Sequence, residues 1–269
     1  MKVFYKNLFK NIIKLKHVLC IIYTVQLSIC SGQKMMSLDF DGELTNEELA
    51  LINLSEIKLL KGDKNSMILV EYIGYPHGSR RVLSNIMIPG EPTQEATLKF
   101  KVKFSDEFSF VKGGKLHGFG PSKPVSGGNN GGPDKWSARL LFKPNGKIAT
   151  YTYHQDQKGI YGEGITSQAG VIIPGKFQQI EFYIRINTPF TAKNGQLEVK
   201  VDGTTVIKQD GLQFRSVDGE NTLISQFLFS TFHGGNTPDF APRNSLGFYS
   251  IETAYFDDIE IYKGRTLSE

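Results

Sequence analysis

The chain has 269 residues, of which 39% are hydrophobic, 12% aromatic and 22% charged, with 28 Gly, 11 Pro and two Cys. This composition excludes a disordered chain, a disulfide framework and a nucleic-acid arm, and the length suits one large β domain. A formal net charge of +4 suggests an acidic partner, so the placement of that charge decides its meaning.

Residues 1–32 carry five Lys and no acid, then an apolar run from Val18 to Ile29 and the small residues Cys30, Ser31 and Gly32. A basic start, a short apolar stretch and small residues at the exit are the parts of a secretory signal peptide, and the run is too short to span a bilayer comfortably. A signal anchor is the alternative reading. Removal of this segment takes Cys20 and Cys30 with it and lowers the formal charge from +4 to −1. The expected organisation is a signal peptide over 1–32 and one secreted domain over 33–269, monomeric and with no stable membrane insertion.

Thr45-Asn46-Glu47-Glu48 has the form of a capping box and predicts one short N-terminal helix before Gly62. Beyond it the apolar residues follow period two. Met67 to Ile73, Thr97 to Phe104, Phe177 to Asn187, Gln196 to Lys208, Leu223 to Phe232 and Ser250 to Tyr262 read as strands between Gly, Asn, Asp and Pro turns. Ile180, Phe182, Ile184 and Ile186 share one face of their strand, and Asp202-Gly203 marks a tight hairpin. Asp257-Asp258 reads as a turn or solvated edge. The fold class that follows is all-β, an antiparallel two-sheet β-sandwich of jelly-roll type.

The segment 111–147 holds Lys112, Lys115, Lys123, Lys135, Arg139, Lys143 and Lys147 against the single acid Asp134, a local net charge of +6. Its first part, VKGGKLHGFGPSKPVSGGNNGGPDK, reads as a long glycine-rich loop of the kind that lies close to a ligand. A hairpin follows. Pro144-Asn145-Gly146 fits a three-residue connection with Asn in a right-handed position and Gly left-handed, which sets Lys143 opposite Lys147, Arg139 opposite Tyr151 and Ser137 opposite Tyr153. Strand period then places Ser137, Arg139, Tyr151 and Tyr153 on one face, an improbable lining for an apolar core.

Cations, phenols and a hydroxyl without a carboxylate pair make a poor kit for glycoside hydrolysis, and the sequence has no zinc cluster, nucleophile elbow or phosphate loop. The kit suits β-elimination in a uronic-acid polymer. That reaction removes a C5 proton made acidic by neutralising the adjacent carboxylate, and expels O4 with a proton donor. It calls for no cofactor and no metal.

Gly113-Gly114-Lys115-Leu116, Ser137-Ala138-Arg139, Tyr151-Thr152-Tyr153 and Phe229-Ser230-Thr231-Phe232-His233-Gly234-Gly235 resemble the motif series of polysaccharide lyase family 14, over roughly residues 97 to 263. The resemblance implies a β-jelly roll acting on alginate or glucuronan. It also implies that Lys115 is the essential lysine, Ser137 and Arg139 the substrate-contacting pair, and Tyr151 and Tyr153 the tyrosines of the cleft. Where the family often has Pro this chain has His117. Lys115 and Arg139 are expected at the substrate carboxylate, with Tyr151 or Tyr153 transferring protons and Ser137 holding a sugar hydroxyl or orienting a tyrosine. Lys115 as the base is an open alternative. His117, Lys135, His154 and His233 are further substrate-binding candidates. The expected partner is an anionic polysaccharide and not nucleic acid. The competing function is a non-catalytic carbohydrate-binding jelly roll using aromatic platforms such as Trp136; a structural wall or coat protein has little in its favour.

Overall fold

The thirteen-residue strand Ile251–Lys263 sits inside a larger sheet because its alternate residues Ala254, Phe256, Ile259 and Ile261 are fully buried while Tyr255 and Glu260 face outward, with one irregularity where the alternation shifts. The computed structural model describes residues 32–63, 65–129 and 132–269. The signal-peptide reading of 1–32 therefore falls, but for Gly32, outside the described residues.

In chain order the strands are β1 (Lys34–Leu38), β2 (Ile57–Leu60), β3 (Met67–Tyr75), β4 (Gly78–Ser79), β5 (Val82–Met87), β6 (Glu95–Phe104), β7 (Gly114–Gly120), β8 (Ser137–Lys143), β9 (Lys147–Tyr153), β10 (Gln178–Arg185), β11 (Gly195–Val201), β12 (Thr204–Leu212), β13 (Gln226–His233) and β14 (Ile251–Lys263). The helix α1 (Asn46–Ile52) starts as expected: Thr45 Oγ1 accepts from Glu48 N at 3.2 Å, and the Glu48 carboxylate accepts from Thr45 N at 2.8 Å.

Among the described residues the strands form two antiparallel sheets. A nine-stranded sheet runs β12-β11-β10-β6-β14-β3-β2, with β1 added on β14 and β4 on β3, and a five-stranded sheet runs β5-β13-β7-β8-β9. Their inner faces meet in a core of aromatic and β-branched side chains. Phe119 of the smaller sheet stacks on Phe182 of the larger at 6.2 Å between ring centroids, and Phe229 meets Phe256 edge-on at 6.1 Å. Lys34–Glu269 make one compact unit. This is the expected β-sandwich.

Two sequence expectations need correction. The glycine-rich segment contains a central strand, β7, paired on both sides, because its glycines fit where neighbouring backbones close in. A side-chain carbon at Gly118 would collide with the Ala138 carbonyl and come 2.6 Å from the Arg139 Cα; one at Gly114 would strike the Phe232 carbonyl. Asp257-Asp258 is no turn but the irregularity within β14, where Asp258 takes φ 47° and the register against β6 shifts. Asp258 there faces Lys101 at 2.6 Å.

Candidate active site

The outward face of the five-stranded sheet is built around the β8–β9 hairpin. Its register is the expected one, with Ser137 opposite Tyr153, Arg139 opposite Tyr151 and Lys143 opposite Lys147. The turn differs in detail: Asn145 is itself left-handed, at φ 61° and ψ 31°, as is Gly146 at φ 66°, and both residue types tolerate that region. The connection is still three residues long, so the register and the shared face survive.

On this face β7 lies beside β8. Lys115 pairs with Leu141, and Gly118 with Arg139, where the missing side chain lets the β7 and β8 backbones close in. Lys115 Nζ stands 3.0 Å from the centroid of the Tyr151 ring. The Tyr151 and Tyr153 hydroxyls are 3.2 Å apart, their rings meet edge-on, and Tyr153 Oη accepts from Gly128 N at 3.1 Å.

Arg139 is held from behind. Its Nη1 donates to Ser137 Oγ at 2.7 Å and to the Val125 carbonyl at 3.3 Å, while Ser137 Oγ donates to the same carbonyl at 2.7 Å. Ser137 is fully buried. It braces the arginine rather than a tyrosine, and has no surface to offer a sugar hydroxyl.

Burial and local charge move the titrating groups apart. Desolvation, with Arg139, Lys143 and Arg81 nearby, pushes the Lys115 amine well below its ordinary value. Burial, together with the Tyr153 contact, pushes Tyr151 up; Arg139 pulls it partly back. Burial draws Arg139 down to about 10, which leaves it charged at neutral pH. Arg81 escaped the sequence reading. It sits in a plain Arg-Arg pair before β5, and only the fold brings its guanidinium 6.0 Å from the Phe232 ring, next to Lys115.

The other candidates divide. Lys135 and His154 line a cavity of about 330 Å³ that shares Tyr153 with the site. His154 lies 3.8 Å from Glu163, and burial lowers its pKa. His117 and His233 are not in the cleft. His117 is fully buried, 4.4 Å from the Phe229 ring and 4.9 Å from Phe256, with Nδ1 accepting from Ser230 N at 3.2 Å. His233 stacks on Phe108 at 5.1 Å and bonds the Ser109 carbonyl at 2.7 Å. Both are core histidines, pushed down by burial to about 3 and about 4 respectively. Trp136 is no sugar platform either: it is fully buried, with Nε1 donating to the Thr222 carbonyl at 2.8 Å.

The two outer faces differ in how their cations are used. On the nine-stranded sheet Lys34 pairs with Glu260, Lys58 with Glu71, Lys99 with Glu181 and Lys101 with Asp258, while Arg265 pairs with Glu198. On the hairpin side, Lys115, Lys135, Arg139, Lys143 and Lys147 have no carboxylate within 4.0 Å among the described residues. A cluster of unpaired, partly desolvated cations is a receptor for anions.

The family model "Polysaccharide lyase 14" matches residues 76–252. Among solved structures, a mutant of the alginate lyase Aly36B in complex with alginate trisaccharide is 21% identical, with a TM-score of 0.67 over 87% of this chain and 100% of that one. The alginate lyase of Aplysia kurodai is 19% identical, with a TM-score of 0.66 over 86% and 100%. The endo-β-1,4-glucuronan lyase of the fungus Trichoderma reesei is 14% identical, with a TM-score of 0.54 over 86% and 96%. No curated protein sequence matches the chain.

Proposed function

The chain belongs to the polysaccharide lyase 14 family, and from that premise we propose that it cleaves a uronic-acid polysaccharide of the alginate or glucuronan type by β-elimination. The observation that carries this reading is the set of unpaired cations around a lysine and a tyrosine in contact. Arg139 supplies the cation that a polyuronate carboxylate needs and Lys115 the base, and among the described residues no carboxylate lies within 4.0 Å of either.

In the proposed reaction Arg139 binds the carboxylate at C5 and stabilises the charge that spreads into it when the C5 proton leaves. Lys115 takes that proton. Its depressed pKa makes a neutral amine available, which favours the lysine as base over the alternative of a carboxylate-binding cation. Tyr151 stays protonated and donates to O4 as the C4–O4 bond breaks, so C4 and C5 become a double bond and the leaving chain gains a hydroxyl. Lys115 then gives its proton to water and the Tyr151 phenolate takes one from water, so both groups are reset. Ser137 keeps Arg139 aimed, and Tyr153 keeps Tyr151 in place.

The test is incubation of the 33–269 domain with alginate, polymannuronate, polyguluronate and glucuronan while following the ultraviolet absorbance of the unsaturated uronate. Absorbance growth on at least one polymer is expected, and none on any of them sinks the reading. Export on residues 1–32 is part of the same proposal, since such polymers lie outside the cell that would digest them. It is checked by finding the protein in the culture medium with its N-terminus near Gln33.

A further inference from the structure

The cavity beside Tyr153 lies next to the tyrosine pair, and nothing in the reaction uses it. It measures about 330 Å³ and is lined by Val125, Gly132, Pro133, Lys135, Tyr153, His154, Gln155 and Gln157, with no Asp or Glu among these described residues. That volume is within the range of small-ligand sites. Resting on the lyase reading, we propose that this cavity is a non-catalytic subsite in which Lys135 binds the carboxylate of a second acidic sugar, apart from the one undergoing elimination.

Several observations support this assignment. Among the described lining residues Lys135 alone is a lysine or arginine, and it has no carboxylate partner among the described residues. It is half-buried, so its attraction for an anion is screened less than that of a fully exposed lysine. Its backbone is anchored by a turn, with Lys135 N donating to the Gly132 carbonyl at 3.2 Å. The wall is preformed. Gln155 Nε2 donates to the carbonyls of Gly132 at 3.3 Å and Phe214 at 3.1 Å, and its Oε1 accepts from Ser216 Oγ at 3.2 Å. A cavity held this way loses little entropy on filling.

Continuity with the reacting centre comes through two residues. Tyr153, itself buried, lines the cavity and also contacts Tyr151, so one side chain joins the cavity wall to the reacting centre. Lys135 precedes Ser137 by two residues, at most about 7 Å of chain, which keeps it within reach of a unit close to the one held by Arg139. His154 forms the remaining polar wall, with Glu163 at 3.8 Å from its Nε2; burial lowers its pKa, so the cavity's positive charge at neutral pH comes from Lys135.

The experiment compares the wild type with Lys135→Ala and with Lys123→Ala, which removes an exposed lysine of the same basic segment outside the cavity. Affinity for a mannuronate oligosaccharide and for a neutral mannan oligosaccharide is measured by calorimetry, and KM, kcat and product length on the polymer are measured in parallel. Loss of one charge-assisted contact predicts roughly five- to tenfold weaker mannuronate binding for Lys135→Ala, with KM raised, kcat held and longer products. Mannan binding should not change, and Lys123→Ala should bind mannuronate within about twofold of wild type because it removes only screened, distant charge. Equal losses in both variants, or none in Lys135→Ala, overturn the subsite. Absence of cleavage by the wild type overturns the lyase reading instead, and the calorimetric comparison still decides the subsite.

Discussion

Lys115 Nζ rests 3.0 Å from the centre of the Tyr151 ring, so the proposed base and the proposed acid are one contact apart. The same burial acts oppositely on them, lowering the lysine and raising the tyrosine. A neutral amine and a neutral phenol can therefore coexist over a wide pH span. The kcat/KM profile should rise as Lys115 loses its proton at a pH well below the ordinary lysine value, and fall only where Tyr151 ionises, above the ordinary tyrosine value. Lys115→Arg keeps the positive charge but offers no neutral base, and should lose roughly 10²–10⁴-fold in kcat. An arginine variant of near-wild activity would instead assign Lys115 to the carboxylate.

Arg139 and Ser137 form the second test. Ser137→Ala removes one of two acceptors for the Arg139 guanidinium and leaves the Val125 carbonyl at 3.3 Å as the other. The arginine stays but is aimed less well, so kcat should drop by about tenfold, the scale of about 1.4 kcal/mol, with an unchanged circular-dichroism spectrum. Arg139→Lys should lose more, because an ammonium cannot span a carboxylate with paired donors. Equal activity in Ser137→Ala and wild type would show that the brace is dispensable.

Much of this site could be read from local rules. Pro144-Asn145-Gly146 fixed a loop length, loop length fixed register, and period two then gathered Ser137, Arg139, Tyr151 and Tyr153 on one face. The Asn145 conformation did not alter that outcome, since register depends on the residue count in the turn. Strand β7 was hidden because Gly114, Gly118 and Gly120 look like a flexible loop, whereas here they let three strands approach; that demand comes from the neighbours and is not written in the segment itself. Lys115 was therefore found by family resemblance and not by pattern. His117 misled for a related reason. It lies two residues after Lys115 and should share its face, but the register shift between Lys115 and Gly118 turns it into the core. Arg81 reaches the site only through tertiary folding.

The two core histidines make stability depend on acid. Folding holds His117 down to about 3 and His233 to about 4, whereas both titrate near 6.5 when unfolded. The unfolded chain then binds more protons below pH 6.5, so stability falls as pH falls, by up to on the order of 1.4 kcal/mol per pH unit for each group. The loss should run from about pH 6.5 down to about 4 for His233 and about 3 for His117. Thermal melts of His117→Phe and His233→Phe across this window should show a flatter decline than wild type, while kcat/KM near neutrality stays unchanged because neither ring reaches the cleft. A steep loss of activity with intact folding would put one of them back in the site.

Gly118 offers the sharpest separation of fold from site. It pairs with Arg139 on one side and Leu228 on the other, and its missing side chain is what lets β7 and β8 approach this closely. A methyl group there would meet the Ala138 carbonyl and lie 2.6 Å from the Arg139 Cα, so backbone and not a pliable side chain would have to yield. Gly118→Ala should therefore push β7 and β8 apart, cost about 1–3 kcal/mol of stability as overpacking does, and lower kcat by more than Ser137→Ala does. Gly42→Ala, where no atom lies within 4 Å of the added carbon, controls for glycine replacement as such; its left-handed φ of 64° carries a local strain in the lead to α1, outside the five-stranded sheet. Measuring the melting temperature and kcat together decides the point: a Gly118→Ala protein that melts early but turns over at the wild-type rate would show that the Arg139 position tolerates the shift, and the link between this close approach and the site would fall.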